Sequence, residues 1–123
     1  MALDRQGRDV TLVLAESRYV GEYRYAIVVN SRIEGYLDYV PGGETVTGIN
    51  ILDSIERQNG IARAALKELF ALYPETAVIN GDSVPGAHRF WEGVGCEWQD
   101  GRDDEHCSLF ELSREALKTR GIS

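Results

Sequence analysis

Residues 49–62 read INILDSIERQNGIA, and this segment contains the strand-to-helix transition that decides the fold. It begins with an apolar, β-branched run typical of a strand and passes through a polar turn to Gly60, where helical spacing begins. The first turn of a helix presents N–H groups that have no partner inside the helix, and the helix dipole makes that end positive. A pyrophosphate bound there accepts those N–H groups directly. The segment therefore predicts an anion-binding site at the start of a helix.

The residues around this turn are suited to a phosphate ligand. Gly60 has no side chain that would keep phosphate oxygens from the backbone, and Ala62 keeps the next contact small. Arg57 and Arg63 add positive charge nearby. A single glycine at such a position can also simply ease an ordinary strand-to-helix turn, so both interpretations of Gly60 stay open at this point.

The apolar pattern changes period several times on either side of this segment. Upstream, it predicts strands over residues 10–15, 25–30, 33–40 and 45–52. Downstream, it predicts a helix over 60–73 ended by Pro74, a buried strand over 76–79, a second helix capped by Ser83 and ended by Gly93 and Gly95, a hairpin over 97–99 and 108–112, and a closing helix over 114–120. A strand–helix–strand unit requires a parallel pair with a right-handed crossover. We therefore expect an α/β (α+β) fold with a mixed, mostly antiparallel sheet, in a single domain over residues 1–123.

Charge and composition narrow the classes of function. The chain has 123 residues and a formal net charge of -7, and an acidic surface repels phosphate backbones, so we expect no nucleic-acid partner. No run approaches the roughly 18 apolar residues of a membrane span, and the N-terminal residues are too polar for a secretory signal. Cys96 and Cys107 lack the spacing of a metal site. We expect reduced thiols, no bound metal, no membrane association and a cytoplasmic location.

Two motifs resemble the GNAT superfamily of acyltransferases. Residues 57–62 (RQNGIA) are similar to the family signature (Arg/Gln)-x-x-Gly-x-(Gly/Ala), and residues 87–96 (AHRFWEGVGC) are similar to the family's second-helix segment, usually Ala-x-x-Phe-Tyr-x-x-x-Gly-Phe. The motifs occur in the family's order, and the resemblance covers roughly residues 10–112. It implies an acetyl-CoA-dependent N-acetyltransferase, in which an amine acceptor, either a small molecule or a protein amine, attacks the thioester directly.

The resemblance also implies a cleft where the strand ending at Leu52 and Asp53 separates from the strand over 76–79. The pantetheine arm would bind backbone around Ile51 to Asp53, and backbone N–H groups from Gln58 onward would hold the pyrophosphate. The implied cofactor-binding residues are Ile51, Leu52, Asp53, Arg57, Gln58, Asn59, Gly60, Ile61, Ala62 and Arg63. A backbone N–H near Leu52 would polarise the thioester carbonyl. Asp53, nearest to this cleft, is the candidate catalytic base, with Glu44 and Asp38 as alternatives.

The sequence departs from the family pattern at several positions. Trp91 replaces a tyrosine that can protonate the leaving thiolate, and indole has no such acidic proton. Val84 replaces an asparagine that often contacts the cofactor, and Cys96 replaces a phenylalanine whose space Trp98 is expected to fill. We expect His88 to be a surface or boundary residue.

The largest departure is a short connection over residues 16–25, where the family places two helices that wall the acceptor site. The acceptor side is then open, or a second copy covers it in a homodimer. Two alternatives to an active enzyme follow: a non-catalytic module that keeps the fold and binds coenzyme A or a protein partner, and a small interaction domain without a cofactor.

Overall fold

The computed structural model describes residues 2–17, 21–53, 56 and 59–120. Arg57 and Gln58, both implied above to bind the cofactor, lie outside the described residues. Within them, the strands are β1 (Val10–Ser17), β2 (Tyr23–Val29), β3 (Arg32–Val40), β4 (Thr45–Ile51), β5 (Val78–Ser83), β6 (Glu97–Trp98) and β7 (Ser108–Ser113). The α-helices are α1 (Ile61–Leu72), α2 (His88–Val94) and α3 (Arg114–Thr119), and a 3₁₀ turn over Pro85–Ala87 leads into α2.

One sheet contains all of these strands, in the order β1-β2-β3-β4-β5-β7-β6. Strands β1 to β4 form an antiparallel meander, and β4 and β5 are parallel, joined by α1. Strand β7 lies antiparallel between β5 and β6. The mixed, mostly antiparallel sheet predicted from the sequence is therefore confirmed.

Helix α1 forms where apolar residues recur at helical spacing, and it buries that face on the sheet. Its buried residues are Ile61, Ala64, Ala65, Leu66, Leu69 and Phe70. They join Ile27, Leu37 and Tyr39 of the sheet in the hydrophobic core. Each fully buried Leu, Ile or Phe side chain among them contributes about 1.5–3 kcal/mol to stability through the apolar area that it removes from water. Pro74 follows the helix end, as predicted, and the Tyr73 N–H caps it by donating to Leu69 O at 3.1 Å.

The strand predicted over 76–79 is wrong in its bounds. Strand β5 begins at Val78 and continues to Ser83, because it pairs along its whole length with β7. Ser83 is thus the last residue of a strand and does not cap a helix, since α2 begins without a side-chain cap. Gly95 ends α2 with a left-handed φ of 101°, whereas Gly93 lies within the helix.

The sheet face opposite to α1 is open in the part of the chain that is described. Strand β1 ends at Ser17 and β2 begins at Tyr23, and the two pair directly as neighbours. Val13, Ile33 and Leu109 on this face are about half exposed, at 52%, 50% and 48%. The connection predicted over residues 16–25 lies partly outside the described residues, which omit 18–20, whereas the described part of this sheet face exposes apolar side chains.

Candidate active site

A cleft opens where β4 and β5 separate. The two strands are in register only at Thr45 with Asn80 and at Val46 with Gly81, and beyond this point they diverge around a cleft of about 540 Å³. Thr47 is an extra residue in β4, because the register with β3 shifts there. Such a bulge bends its strand and increases the local twist. The cleft is lined by residues 46–51 of β4, Ala62 of α1, residues 82–84 and 86–87, and Phe90, Trp91 and Phe110.

Gly81 sets the closed end of this cleft. A Cβ atom there would lie 2.6 Å from Cζ of Phe110 and 2.9 Å from the carbonyl oxygen of Val46. Carbon atoms in favourable contact are about 3.5–4.0 Å apart, so no side chain fits. The glycine allows β4 and β5 to approach closely at Val46 and Gly81, the last residue pair before the strands diverge.

The backbone of β4 presents alternate residues to the cleft. The Leu52 N–H donates to Glu34 O at 2.9 Å, so it faces β3 and cannot polarise a group in the cleft. In an antiparallel pair, residues that bond to the neighbour alternate with residues whose N–H and C=O point away. The backbone groups of Ile49 and Ile51 therefore point toward the cleft. An extended ligand that contains amide groups can pair with such a strand edge.

The start of α1 lies beside the open end of the cleft. Its first turn has no capping hydrogen bond from a side chain, and Ala62 in that turn lines the cleft. Gly60 has a left-handed φ of 74°, which favours glycine, and a Cβ added there would lie 3.0 Å from Cγ of Arg5. Gly60 is thus required by its own backbone and by the packing of Arg5, a reason different from the phosphate approach inferred from the sequence.

Arg63 provides an observation that fits an anionic ligand. Among the buried side-chain nitrogen and oxygen atoms of the described residues, Arg63 Nε is the one without a hydrogen-bond partner. A buried donor without an acceptor costs roughly 1–3 kcal/mol, more when it is charged. Arg63 lies in the first turn of α1, where its guanidinium adds positive charge beside the N–H groups of the helix start, so the residues present fit a pyrophosphate-bearing ligand.

An N-terminal segment fixes the loop that precedes α1. Asp4 accepts hydrogen bonds from the backbone N–H of Arg8 and from its Nε, and Arg8 also donates to Glu56 in the loop. The Arg5 N–H donates to Asn59 O at 2.7 Å. The hydrogen bond from Arg8 lowers the pKa of the Glu56 carboxyl. The loop is therefore held by contacts with residues more than 40 positions away in the sequence, which orient α1 toward the cleft.

No family model matches the sequence, and no curated protein matches it. Solved structures do match. The aminoglycoside acetyltransferase AAC(6')-Ib in complex with coenzyme A is 19% identical, with a TM-score of 0.65 over 90% of this chain and 98% of the other. The spermidine/spermine N-acetyltransferase SpeG from Vibrio cholerae is 14% identical, with a TM-score of 0.59 over 85% and 71%. A protein from Desulfovibrio desulfuricans assigned to the GNAT family of acetyltransferases is 15% identical, with a TM-score of 0.58 over 76% and 69%.

The chain has the GNAT fold. The resemblance seen at residues 57–62 and 87–96 is confirmed at the level of the fold.

The residues expected to bind the cofactor within the GNAT fold are only partly gathered at the cleft. Ile51 and Ala62 line it, and Ile61 is fully buried, so it can offer only its backbone. Leu52 and Asp53 are exposed and do not line it. Asp53 as the base stays a prediction. Its alternative Asp38 is held by Arg24 through two hydrogen bonds of 2.9 and 3.0 Å.

Trp91 forms part of the cleft wall at the position where the GNAT pattern has a tyrosine. It is 6% exposed and stacks on Phe110 with ring centroids 4.1 Å apart. Trp98 contacts the same cluster edge-on, with its centroid 6.4 Å from that of Phe110. Cys96 is half-buried beside them, and burial raises the pKa of its thiol to about 11. Trp98 thus packs near the position where Cys96 replaces a phenylalanine.

The expectation that His88 is a surface or boundary residue is wrong. His88 is 1% exposed, and its Nδ1 lies 2.7 Å from the Ser83 hydroxyl. The sequence contained a signal for this burial, because His88 lies three residues before Trp91 and therefore shares the apolar face of α2. The expectation followed the general tendency of histidine to be only partly buried, and it did not use the spacing to Trp91.

Among the described residues, no group of three or more His, Cys, Asp and Glu side chains is placed to hold a metal ion. No helix in the same residues is long and apolar enough to cross a membrane.

Proposed function

We propose that this chain binds acetyl-CoA in the cleft between β4 and β5 and transfers the acetyl group to an amine. The observation that carries the proposal is the divergence of these strands beyond Val46 and Gly81, directly beside the uncapped first turn of α1. The pantetheine arm pairs with the backbone of Ile49 and Ile51, and the pyrophosphate binds the first turn near Arg63.

The reaction is direct attack of the amine nitrogen on the thioester carbon. The backbone N–H groups of Ile49 and Ile51 face the cleft and can stabilise the charge that develops on the carbonyl oxygen. Most of the acceleration then comes from holding the amine and the thioester in line. Asp53 is the candidate for removing the ammonium proton before attack, acting through water from its exposed position.

The acceptor is proposed to be a small cationic amine. Two solved neighbours are named as aminoglycoside and spermidine/spermine acetyltransferases, and both of those substrate classes carry several amines. The net charge of -7 on this chain attracts cations. The open sheet face leaves room for such a molecule, or for a second copy of the chain that completes the acceptor site in a homodimer.

Calorimetric titration with acetyl-CoA tests the proposal, with Ala62→Glu and Ala62→Gln as a matched pair. Both side chains are similar in size, and glutamate is tolerated in a first helical turn because the dipole favours a negative charge there. Only glutamate repels a bound pyrophosphate. We expect Ala62→Glu to weaken binding at least about tenfold beyond Ala62→Gln, which corresponds to roughly 1.4 kcal/mol. Gly60 is a poor position for this test, because its φ of 74° makes any substitution a folding perturbation.

Release of free thiol in the presence of an amine panel then tests transfer. Saturable binding without thiol release would support the alternative that the chain is a non-catalytic module of the GNAT fold, which the loss of tyrosine at Trp91 favours. If the wild type shows no saturable binding at millimolar acetyl-CoA, the proposal is refuted.

A further inference from the structure

A buried serine and histidine meet at the wall of the cleft. Ser83 ends β5, lines the cleft and places its Oγ 2.7 Å from Nδ1 of His88. Both residues are 1% exposed, so the pair is shielded from bulk water. Ser83 lies two residues beyond Gly81, the last residue of β5 in register with β4. The pair therefore stands next to the point where the strands part.

The surroundings of His88 determine which ring nitrogen carries the proton. Its Nε2 lies 2.8 Å from Asp103 O and 3.2 Å from His106 O. A carbonyl oxygen can only accept, so Nε2 must be the N–H donor. In the neutral ring, Nδ1 is then an acceptor for the Ser83 hydroxyl. A hydroxyl is thus paired with a base, and the base is oriented by a third group.

Hydrogen-bond partners are also present for the form of the pair in which His88 is protonated on both ring nitrogens. When Nδ1 carries a proton, it donates to the Ser83 oxygen, and the hydroxyl hydrogen of Ser83 turns to Val84 O at 3.1 Å. Both protonation states keep their hydrogen bonds without a rearrangement of the backbone. A group that accepts a proton and later returns it requires this property.

The other side chains of the cleft do not supply such a group in a buried position. The Thr47 hydroxyl lines the cleft and donates to Glu22 Oε2 at 2.7 Å, but that pair is exposed. Trp91 lines the same wall, but its indole N–H is a donor only and does not ionise in the physiological range. Phe90 and Phe110 have no polar atoms. Asp82, on the same strand as Ser83, is exposed. Among the described residues that line the cleft, Ser83 is the one whose hydroxyl is paired with a buried base, and that base is His88.

We propose that Ser83 and His88 relay the proton of the attacking amine to the leaving thiolate, an inference that rests on the proposed acetyl transfer. As the nitrogen of the free amine bonds to the thioester carbon, it gives a proton to Ser83 Oγ, while the proton of Ser83 passes to His88 Nδ1. As the carbon–sulfur bond breaks, the same path returns one proton to the sulfur. The products are the amide and the free thiol, and both residues regain their starting states. Ser83 is the catalytic residue, and His88 is a positioning residue that acts through it.

Three substitutions separate this role from a structural one. Ser83→Ala removes the hydroxyl, and Ser83→Thr keeps it. His88→Gln keeps an amide N–H that can donate to the carbonyls of Asp103 and His106, but presents no basic nitrogen to Ser83. The measurements are the rate of thiol release from acetyl-CoA with an amine panel, the dissociation constant of coenzyme A, and the Tm of each variant.

We expect Ser83→Ala and His88→Gln to lower kcat roughly 100- to 10,000-fold with coenzyme A affinity close to the wild type, and Ser83→Thr to recover most of the rate. Ser83→Ala should also lower Tm, because the buried Nδ1 of His88 loses its partner, so rates are compared at a temperature where every variant is folded. Wild-type turnover that survives Ser83→Ala within about threefold overturns the relay and leaves the acetyl transfer standing. A loss of rate that is matched by a loss of coenzyme A affinity also overturns the relay, because the pair then only shapes the cleft. A wild type that binds coenzyme A but releases no thiol overturns both proposals.

Nitrogen NMR of the ligand-free protein gives a readout that does not depend on turnover. With labelled histidine, and with His106→Gln to assign the two rings, we expect His88 to carry its proton on Nε2 and to show a hydrogen-bonded, unprotonated Nδ1. Ser83→Ala should shift the Nδ1 signal alone. A proton on Nδ1 of the neutral ring would overturn the relay, because Ser83 would then face a donor.

Discussion

Replacing Gly81 by alanine should strain the point where β4 and β5 part. The new Cβ would lie 2.6 Å from Cζ of Phe110 and 2.9 Å from Val46 O. A relaxed carbon–carbon contact is about 3.5 Å or more, so the ring must move by roughly 0.9 Å. Phe110 is 1% exposed and stacks on Trp91 with ring centroids 4.1 Å apart, so a displacement of its ring disturbs that packing. The backbone oxygen of Val46 can move away only if β4 and β5 separate at Val46 and Gly81, their last paired residues.

The expected cost is that of overpacking a core, about 1–3 kcal/mol. For a domain of this size, 1 kcal/mol changes Tm by about 3–5 °C, so a cost near the middle of that range lowers Tm by roughly 6–10 °C. Most of the strain falls on the ring, with a smaller part on the Val46 carbonyl. Substituting Phe110 by leucine should therefore relieve the larger part of it.

The Tm of both single variants and of the double variant is measured by thermal unfolding, with near-ultraviolet circular dichroism as the signal. The double variant Gly81→Ala/Phe110→Leu should be less destabilised than the sum of the single variants by about 1 kcal/mol. If Gly81→Ala melts within about a degree of the wild type, the close approach described here is absent in solution. Strict additivity would show that the strain is taken up by the backbone of β4 rather than by the ring.

Three further outcomes are expected. Gly60→Ala should lower Tm, because a left-handed residue other than glycine costs about 1–2 kcal/mol, and an unchanged melt would show that the turn relaxes. Iodoacetamide at about pH 8 should modify exposed Cys107 well before Cys96, whose pKa burial raises to about 11, and equal rates would contradict the packing. Arg8→Met should lower Tm near neutral pH but lose its effect in acid, because the lowered pKa of Glu56 stabilises the fold above the ordinary value of 4.5 and this contribution disappears as pH falls through the folded-state pKa. A pH-independent difference between Arg8→Met and the wild type would argue against the ion pair.

Local sequence patterns predicted the elements whose partners are close in the chain. The four strands β1 to β4 follow from apolar runs separated by turns, and α1 follows from a broad apolar face that Pro74 ends. The resemblance of two motifs to the GNAT superfamily implied a cleft where β4 separates from β5, and the structure contains that cleft. These features depend on periodicity and on glycine and proline, and both can be read without knowing any tertiary contact.

The features that were not predicted depend on partners distant in the sequence. Strand β5 extends to Ser83 because β7 pairs with all of it, although Asn80 and Asp82 interrupt its apolar pattern. Gly60 packs on Arg5, a residue of the N-terminal segment that has no local relation to the turn. The direction of the Leu52 N–H was likewise set by its bond to Glu34 of β3. Sequence periodicity indicates which face a side chain takes, but does not show which neighbour a backbone group will meet.

The cleft therefore combines two parts that can be perturbed separately. Its width is fixed by a part of the sheet that we call the frame: the contact of Gly81 with Phe110 and the bulge at Thr47. Both features are formed without a ligand. The first turn of α1, with Ala62 lining the cleft, presents N–H groups to which a bound anion can be an acceptor. A substitution in the frame should thus change Tm first and binding second, whereas Ala62→Glu should change binding while Tm stays near that of Ala62→Gln. If both classes of variant changed Tm and affinity in proportion, the cleft would be formed by the ligand rather than before it, and the fold alone would not account for the site.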